Sequence, residues 1–391
     1  MNWIEKMIVE QCPNGVEKVK VKDTFPRLKG TPITAGLMKE IQKESAPITI
    51  FAGGRTIIKA FESDIPKANI ITKASVIVQS RGVIDVQFCN TPFTFKNEMW
   101  AYTHSNVTSV KYLYYYLKQN IGVLRQRGAE HGSMPQISLT ATENMQIPLP
   151  PLSIQKEIVS VLDKFSELIE KTDEEIALRQ KQYEYYREKL LTFEEGEAEW
   201  KSAKDITEVT DYVANGSFAD LRNNVQYLAI PDYAILVRTT DLAQNFAGNL
   251  VYINQDAYNF LKKSQLFGGE IIINNIGAGV GQTFICPNRK EKMNLGPNSI
   301  MVKTKYNKFY YYWLSSKQGQ ESLNKIISPG AMPKFNKTGF KTIMLPVPSL
   351  SRQQSIVATL DKFEALISKL KEERELRQKQ YEYYREKLLT F

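Results

Sequence analysis

LRQKQYEYYREKLLTF occupies residues 178–193 and recurs, letter for letter, at 376–391. The copies lie 198 residues apart, about half of the 391-residue chain. Extended at that offset without a gap, 32 of the 46 positions of 148–193 match 346–391. The likeness reaches back to Met134-Pro135 and Met332-Pro333 and then fades. The chain is a tandem duplication in which a variable block is followed, twice, by a nearly constant one.

The constant block reads as a helix with one apolar seam. Its apolar positions are Ile158, Leu162, Phe165, Ile169, Ile176, Tyr183, Tyr186, Leu190 and Phe193, with Thr172 and Arg179 filling the remaining slots. The second copy keeps the register through Ile356, Leu360, Phe363, Ile367, Leu370, Tyr381, Tyr384, Leu388 and Phe391, with Arg374 and Arg377 interrupting. Steps of three and four over this length are a heptad pattern. Pro148, Pro150 and Pro151, like Pro346 and Pro348, forbid helix upstream, and Ser153 or Ser351 is the expected N-cap. A helix from about Gln155 to Phe193 would be roughly 58 Å long at 1.5 Å per residue. Two such helices in one chain are expected to pair antiparallel.

The identity includes residues that a core does not require: Arg179, Lys181, Gln182, Glu184, Arg187, Glu188 and Lys189. Repeated polar faces predict one kind of partner docked twice. The candidate contacts are Arg179, Lys181, Tyr185 and Arg187 in the first copy, and Arg377, Lys379, Tyr383 and Arg385 in the second. Recent duplication would give the same identity without a partner, and two ordinary core helices remain the plain alternative.

Charge separates the blocks further. The net charge is +9. Residues 1–150 hold 18 Lys+Arg against 12 Asp+Glu, and residues 194–348 hold 17 against 14. Between 303 and 341 there are eight lysines and one acid, Glu321. Positive charge gathered on the variable blocks suits a polyanion such as DNA, or simply a solvated basic surface. Three dispersed cysteines (Cys12, Cys89, Cys286) and two histidines (His104, His131) supply neither a disulfide framework nor a zinc cage. No stretch approaches the ~20 apolar residues of a membrane span, and MNWIEKMIVEQCPNG does not read as a signal peptide. A reducing cytoplasm is the expected location.

Each variable block contains short β-prone runs: ITIFAGG at 48–54 and ASVIVQSRGVIDV at 74–86, then YAILVRTTDL at 233–242 and GGEIIINNIGAGVG at 268–281. An aromatic helical cluster follows, KYLYYYL from Lys111 and KFYYYWL from Lys308, expected to face the core. Each block is therefore expected to be a compact α+β domain around a twisted sheet. Basic groups near turns are candidate DNA contacts: Arg55, Lys59, Lys73 and Arg81 in the first block, Arg222, Arg238, Lys303, Lys305 and Lys334 in the second. Gln79, Gln136, Asn274 and Asn275 join them, because amide side chains pair with adenine edges as arginine pairs with guanine. Any one of these also fits an ordinary surface position.

Catalytic signals are poor. Asn90-Thr91-Pro92-Phe93 is close to the Asn-Pro-Pro-aromatic motif of amino-methyltransferases, but Thr91 stands where the rigid turn needs proline. Gly277-Ala278-Gly279-Val280-Gly281 lacks the spacing and the Gly-Lys-Ser/Thr of phosphate loops and reads as a sheet turn. No catalytic residue is assigned.

Three segments carry a family resemblance. They are Gly132-Ser133-Met134-Pro135-Gln136-Ile137-Ser138, then Ile147-Pro148-Leu149-Pro150-Pro151-Leu152 with Gln155, and Cys12-Pro13-Asn14-Gly15-Val16-Glu17. The second copy has Gly330-Ala331-Met332-Pro333-Lys334-Phe335-Asn336 and Leu345-Pro346-Val347-Pro348-Ser349-Leu350 with Gln353. Together they resemble the specificity subunits of type I restriction–modification systems, over the whole chain and in order. Ser349 departs from the proline pair, and Lys334-Phe335-Asn336 departs from Gln-Ile-Ser, which suggests that the halves read different sequences.

The resemblance implies an α+β chain with a pseudo-two-fold internal repeat. Two α/β target recognition domains (1–147 and 194–345) would be separated by two long antiparallel coiled-coil helices (148–193 and 346–391). It further implies a non-catalytic reader of a split double-stranded DNA target, docking two methyltransferase subunits and in some systems restriction subunits. S-adenosylmethionine, ATP and Mg2+ would belong to those partners and none to this chain. A self-sufficient adenine methyltransferase and a coiled-coil scaffold are the alternatives.

Overall fold

The computed structural model describes residues 3–54, 56–129 and 134–391. The chain forms two compact units, Met1–Glu174 with Lys371–Phe391, and Glu175–Leu370. The division falls inside the long helices, whereas the sequence suggested boundaries at their ends. The reason is packing: the first part of each helix is buried in its own preceding domain and its last part in the other unit.

In the first unit an antiparallel sheet runs in the order Arg27–Leu28, Trp100–Thr103, Ser75–Gln79, Asp85–Cys89. A second sheet has the order Ile57–Ala60, Ile48–Phe51, Phe93–Phe95, its last two strands parallel. Lys18–Lys20 pairs with Gln146–Pro148 and ties the start of the domain to its end.

The second unit repeats this plan. Its antiparallel sheet runs Glu208–Asp211, Ser299–Lys303, Ile271–Asn274, Thr283–Ile285. The other sheet is Tyr252–Ile253, Ala234–Val237, Lys292–Leu295, Gln265–Leu266, with the two central strands parallel. Glu199–Ser202 pairs with Met344–Val347. Each domain thus has two principal sheets where one was expected. Strands such as Ser75–Gln79 and Ala234–Val237 are buried at every position, as continuous runs without in–out alternation must be.

The long helices are Leu152–Leu191 and Leu350–Leu389, 40 residues each and so about 60 Å long at 1.5 Å per residue. They begin three residues earlier than expected, with Ser153 and Ser351 inside the first turn. Ser349 Oγ accepts from the Arg352 amide at 3.4 Å, and in the first copy Pro151 holds the matching position. Ser153 Oγ donates instead to Gln11 Oε1 at 2.7 Å.

The seam is present in both units. In the first, Phe165 stacks on Tyr384 with centroids 5.3 Å apart, Arg377 Nη1 donates to Thr172 Oγ1 at 2.6 Å, and Arg374 pairs with Asp173 at 3.1 Å. One number rises as the other falls, so the segments are antiparallel. In the second unit Tyr186 stacks on Phe363 at 5.5 Å and Tyr183 donates to Glu364 at 3.1 Å. Phe165 and Phe363 are copies of each other, as are Tyr186 and Tyr384, so one stack is built twice. Among the described residues no helix is long and apolar enough to cross a membrane.

Candidate nucleic-acid interface and repeated docking face

Each domain is fastened to its helix by the same clamp. In the first unit Lys111 Nζ reaches Asp163 Oδ2 at 2.6 Å, and Tyr115 donates to Asp163 Oδ1 at 2.7 Å. In the second, Lys308 reaches Asp361 at 2.8 Å, and Tyr312 donates to Asp361 at 2.6 Å and Glu364 at 2.8 Å. Burial, reinforced by the carboxylate, holds both phenols far above the usual tyrosine range, so they stay donors. The aromatic clusters face the core as expected: Tyr112, Tyr115, Tyr312 and Trp313 are buried. The clamp went unseen in the sequence, although both clusters carry Lys and Tyr at the same spacing and Asp163 and Asp361 are copies.

A second shared device shapes the variable loops. Beyond strand Ser75–Gln79 the chain turns at Gly82, whose amide donates to the Pro135 carbonyl at 2.8 Å, while the Ile137 amide donates to Ser80 at 2.9 Å. Beyond Ile271–Asn274 the amide of Gly277 donates to Pro333 at 2.9 Å and that of Phe335 to Asn275 at 3.0 Å. Gly82 and Gly277 have φ of +74° and +90°, where a side chain is strained. The Met-Pro likeness is therefore the half of a β-bridge that receives the turn. The bridge itself joins Arg81 to Gln136 in one unit and Ile276 to Lys334 in the other. One cation is present in each bridge, but on opposite strands.

Of the sequence-nominated DNA contacts, the structure gathers Arg81 and Gln136 at the first bridge, and Asn274, Asn275 and Lys334 at the second. Arg81 and Lys334 are exposed, and Arg81 Nε donates to Met134 Sδ at 3.2 Å. Asn274 Oδ1 accepts from the Ile276 amide at 3.1 Å, and Asn275 Nδ2 donates to Phe335 at 3.1 Å; both shape the turn. Gln79 is only 1% exposed, because its strand is covered on both faces, so its side chain does not reach the surface. Arg238 is tied to Asp241 at 2.6 Å and to the Asn249 carbonyl at 2.7 Å, holding the start of helix Thr239–Ala243. Lys59, Lys73, Lys305 and Arg222 are exposed on other segments, and Lys303 lies over the Phe267 ring, 5.7 Å from its centroid. Arg55, His131 and the motif residues Gly132 and Ser133 lie outside the described residues.

The constant helices present one face twice. Lys181, Glu184, Tyr185 and Lys189 are exposed, with Tyr185 59% accessible and Lys189 Nζ 5.7 Å from its ring centroid. Their copies Lys379, Glu382, Tyr383 and Lys387 are exposed too, with Tyr383 at 58% and Lys387 at 5.9 Å. The four nominated arginines are placed differently. Arg179 and Arg187 pair with Glu175 and Glu188, at 2.9 and 2.8 Å. Arg377 reaches Thr172, and Arg385 donates to Gln119 at 2.7 Å. Arg179, Arg187 and Arg377 close ion pairs within the chain and Arg385 is spent on Gln119; Lys387 pairs with Glu5 at 3.2 Å, while Tyr185 and Tyr383 stay exposed.

The motifs weighed for catalysis are structural. Phe93 is wholly buried in strand Phe93–Phe95 and packs on Phe95, so it cannot stack on a base. Residues 277–281 form the hairpin turn between Ile271–Asn274 and Thr283–Ile285, the Gly281 amide donating to Asn274 at 2.8 Å. Burial pushes the Cys286 thiol up to about 12. Among the described residues no group of three or more His, Cys, Asp or Glu side chains could hold a metal ion.

Two similar domains, each locked to a long helix and differing at their loops, define a duplicated recognition protein. Residues 13–178 and 197–378 match the type I restriction modification DNA specificity domain. A type I restriction enzyme specificity subunit of Escherichia coli, EcoR124I/EcoR124II, is 28% identical over 368 residues, spanning 88% of this chain and 87% of its own length. Another from the same organism, EcoprrI, is 25% identical over 319 residues, spanning 78% and 74%. The crystal structure of a type I restriction–modification S subunit from M. genitalium superposes with a TM-score of 0.61 over 97% of each chain at 17% identity, a likeness of fold. The chain belongs to the type I restriction–modification DNA specificity family, and its part is that of a specificity component, not of the catalyst.

Proposed function

We propose that the chain reads a split double-stranded DNA target, one half with each unit, and seats a methyltransferase subunit on each copy of the repeated helical face. The observation that carries this reading is a contrast on one scaffold. The exposed face around Tyr185 and Tyr383 is the same in sequence and sets a lysine over each ring, while the turns at Arg81 and Ile276 differ. A surface kept the same meets the same partner, and one that differs meets a different half-site. The net charge of +9 favours a polyanion. S-adenosylmethionine for adenine methylation, and ATP with Mg2+ where restriction subunits join, would be held by the partners.

Mapping methylated adenines in cells that carry this chain and its methyltransferase tests the reading. The expected motif has two unlike halves separated by a fixed gap. Inserting four residues after Thr172 adds about 6 Å of helix, nearly two base pairs at 3.4 Å each, and should lengthen the gap while both halves keep their sequence. An undivided motif overturns the two-reader proposal, and an unchanged gap with full activity overturns the idea that helix length sets the gap.

A further inference from the structure

The second unit contains a cavity of about 770 Å³ beside the Asn275–Gly277 turn. That volume lies within the range of pockets that enclose small organic ligands. Two aromatic side chains of its lining are left in solvent, Phe218 at 79% and Tyr227 at 52% exposure. Two bare rings gathered at one cavity, rather than scattered singly, form the kind of apolar patch that marks a binding groove.

The wall formed by the turn is polar and incompletely satisfied. Asn275 spends its amide nitrogen on the Phe335 carbonyl, and its Oδ1 is shielded from solvent with no hydrogen-bond partner. A buried acceptor without a donor is costly, so this position asks for an N–H. Arg222 and Lys334 belong to the same lining and are exposed. Asp211, the acid of the lining, is neutralised by Lys337 at 2.8 Å, so an anion meets no free carboxylate there. The first unit is built differently at the corresponding strand position: buried Met99 precedes Trp100 where Ser299 precedes Ile300.

Ring faces, one N–H acceptor and two cations together fit a nucleotide. We propose that this cavity takes a single nucleobase rotated out of the DNA bound by the second unit, its ring against Phe218 and Tyr227, its polar edge toward the Asn275 side chain, and its phosphates beside Arg222 and Lys334. Proteins that hold an extruded base use such a combination of stacking and edge hydrogen bonds. The inference rests on the DNA-reading function proposed above and adds a site for an unpaired base to it. DNA is preferred to a free nucleotide as the source because the cavity shares Asn275 and Lys334 with the loop assigned to DNA contact.

The test uses the full chain alone, so that no partner contributes a base pocket. Its binding at low salt is compared for a short duplex, the same duplex with one bulged 2-aminopurine, and the same with an abasic bulge. The bulged base should be bound about tenfold or more tightly than the paired duplex, in line with the usual worth of base stacking, and its fluorescence should be quenched. The abasic bulge should bind like the paired duplex. The double variant Phe218→Ala with Tyr227→Ala, at exposed positions that leave the core intact, should lose preference and quenching but keep its affinity for paired DNA. Equal binding of paired and bulged duplexes overturns the inference and leaves the DNA-reading proposal standing, as does a preference that survives in the double variant. Quenching of free 2-aminopurine riboside without any preference for the bulge overturns it in favour of a small-molecule site. Failure to bind any duplex removes both.

Discussion

The first unit closes its variable turn with Arg81 against Gln136, and the second with Ile276 against Lys334, yet both fasten to their helices through the same Lys–Tyr–Asp clamp. Where a domain touches its helix, the two units share the lysine and tyrosine contacts to one aspartate. At the loop edge, the backbone bonds are kept and the side chains are not. The difference teaches which contacts belong to the scaffold and which are free to vary: main-chain bonds from Gly82 and Gly277 hold the turn without constraining its neighbours. A loop held by its backbone can change its reading without changing its fold.

The largest expected effect concerns charge on the two variable edges. If six or more phosphates are contacted, affinity of the assembled complex for its target should fall by roughly 10³-fold between 50 and 200 mM salt. Lys334→Ala should then lower the slope of log affinity against log salt by about one, uniformly across sequences. Filter binding over a salt series measures both, and a flat response would contradict DNA contact by either unit.

The next prediction breaks the pairing of unlike halves. Residues 1–193 alone lack 371–391, but their own 178–193 has the same sequence as 376–391 and should supply the missing seam from a second copy. The expected product is an isologous dimer, seen by sedimentation at micromolar concentration. It is imperfect at one point: Asp173, which pairs with Arg374 at 3.1 Å in the full chain, would face Ile176, the copy of Arg374. Ile176→Arg should restore that pair on both sides of the two-fold axis and tighten the dimer by up to about thirtyfold, each exposed ion pair being worth up to about 1 kcal/mol. A folded monomer would count against self-pairing of the seam.

A third prediction sharpens the contrast between the turns. Arg81→Ala should weaken discrimination at the first half-site by about 1–3 kcal/mol and leave the second half-site as it was, read as methylation of single-base variants of the target. Equal loss across all variants would make Arg81 a phosphate contact instead.

The smallest effect concerns the clamp. Tyr115→Phe and Tyr312→Phe should each cost about 1–2 kcal/mol, between the worth of a neutral hydrogen bond and that of one to a buried charge, measured by urea unfolding. Tyr312→Phe should cost at least as much, because its hydroxyl meets Asp361 and Glu364 whereas Tyr115 meets Asp163 and, at 3.5 Å, Ser166. A neutral result in one unit only would mean that the clamps are alike in geometry but not in strength.

Much of this was legible in the chain. The duplication, the two helices, their seam and their antiparallel pairing followed from an exact repeat and heptad spacing, because helix packing depends on local periodicity. The core-facing aromatic clusters and the turn at 277–281 were readable for the same reason. The two-sheet domains were not, since strand partners such as Ile48–Phe51 and Phe93–Phe95 lie far apart in sequence and no local pattern announces a parallel pair. The helix starts were misplaced because Pro151 and Ser349 were placed outside the helix, whereas the Pro151 carbonyl accepts from the Ile154 and Gln155 amides and Ser349 accepts from Gln353 and Arg352.

The candidate contacts divide along the same line. Sequence alone put arginines, lysines and amides near the turns, and Arg81, Gln136, Asn275 and Lys334 do meet at the two bridges. It could not tell that Gln79 faces inward, that Arg238 is committed to Asp241, or that the repeated arginines are spent on partners within the chain while Tyr185 and Tyr383 stay exposed. Residue type and spacing fix what a helix can pair with and where a chain must turn. Which face of a buried strand a side chain takes, and whether a charge is spent inside the chain or left for a partner, depends on neighbours distant in sequence, and only the tertiary structure brings those together.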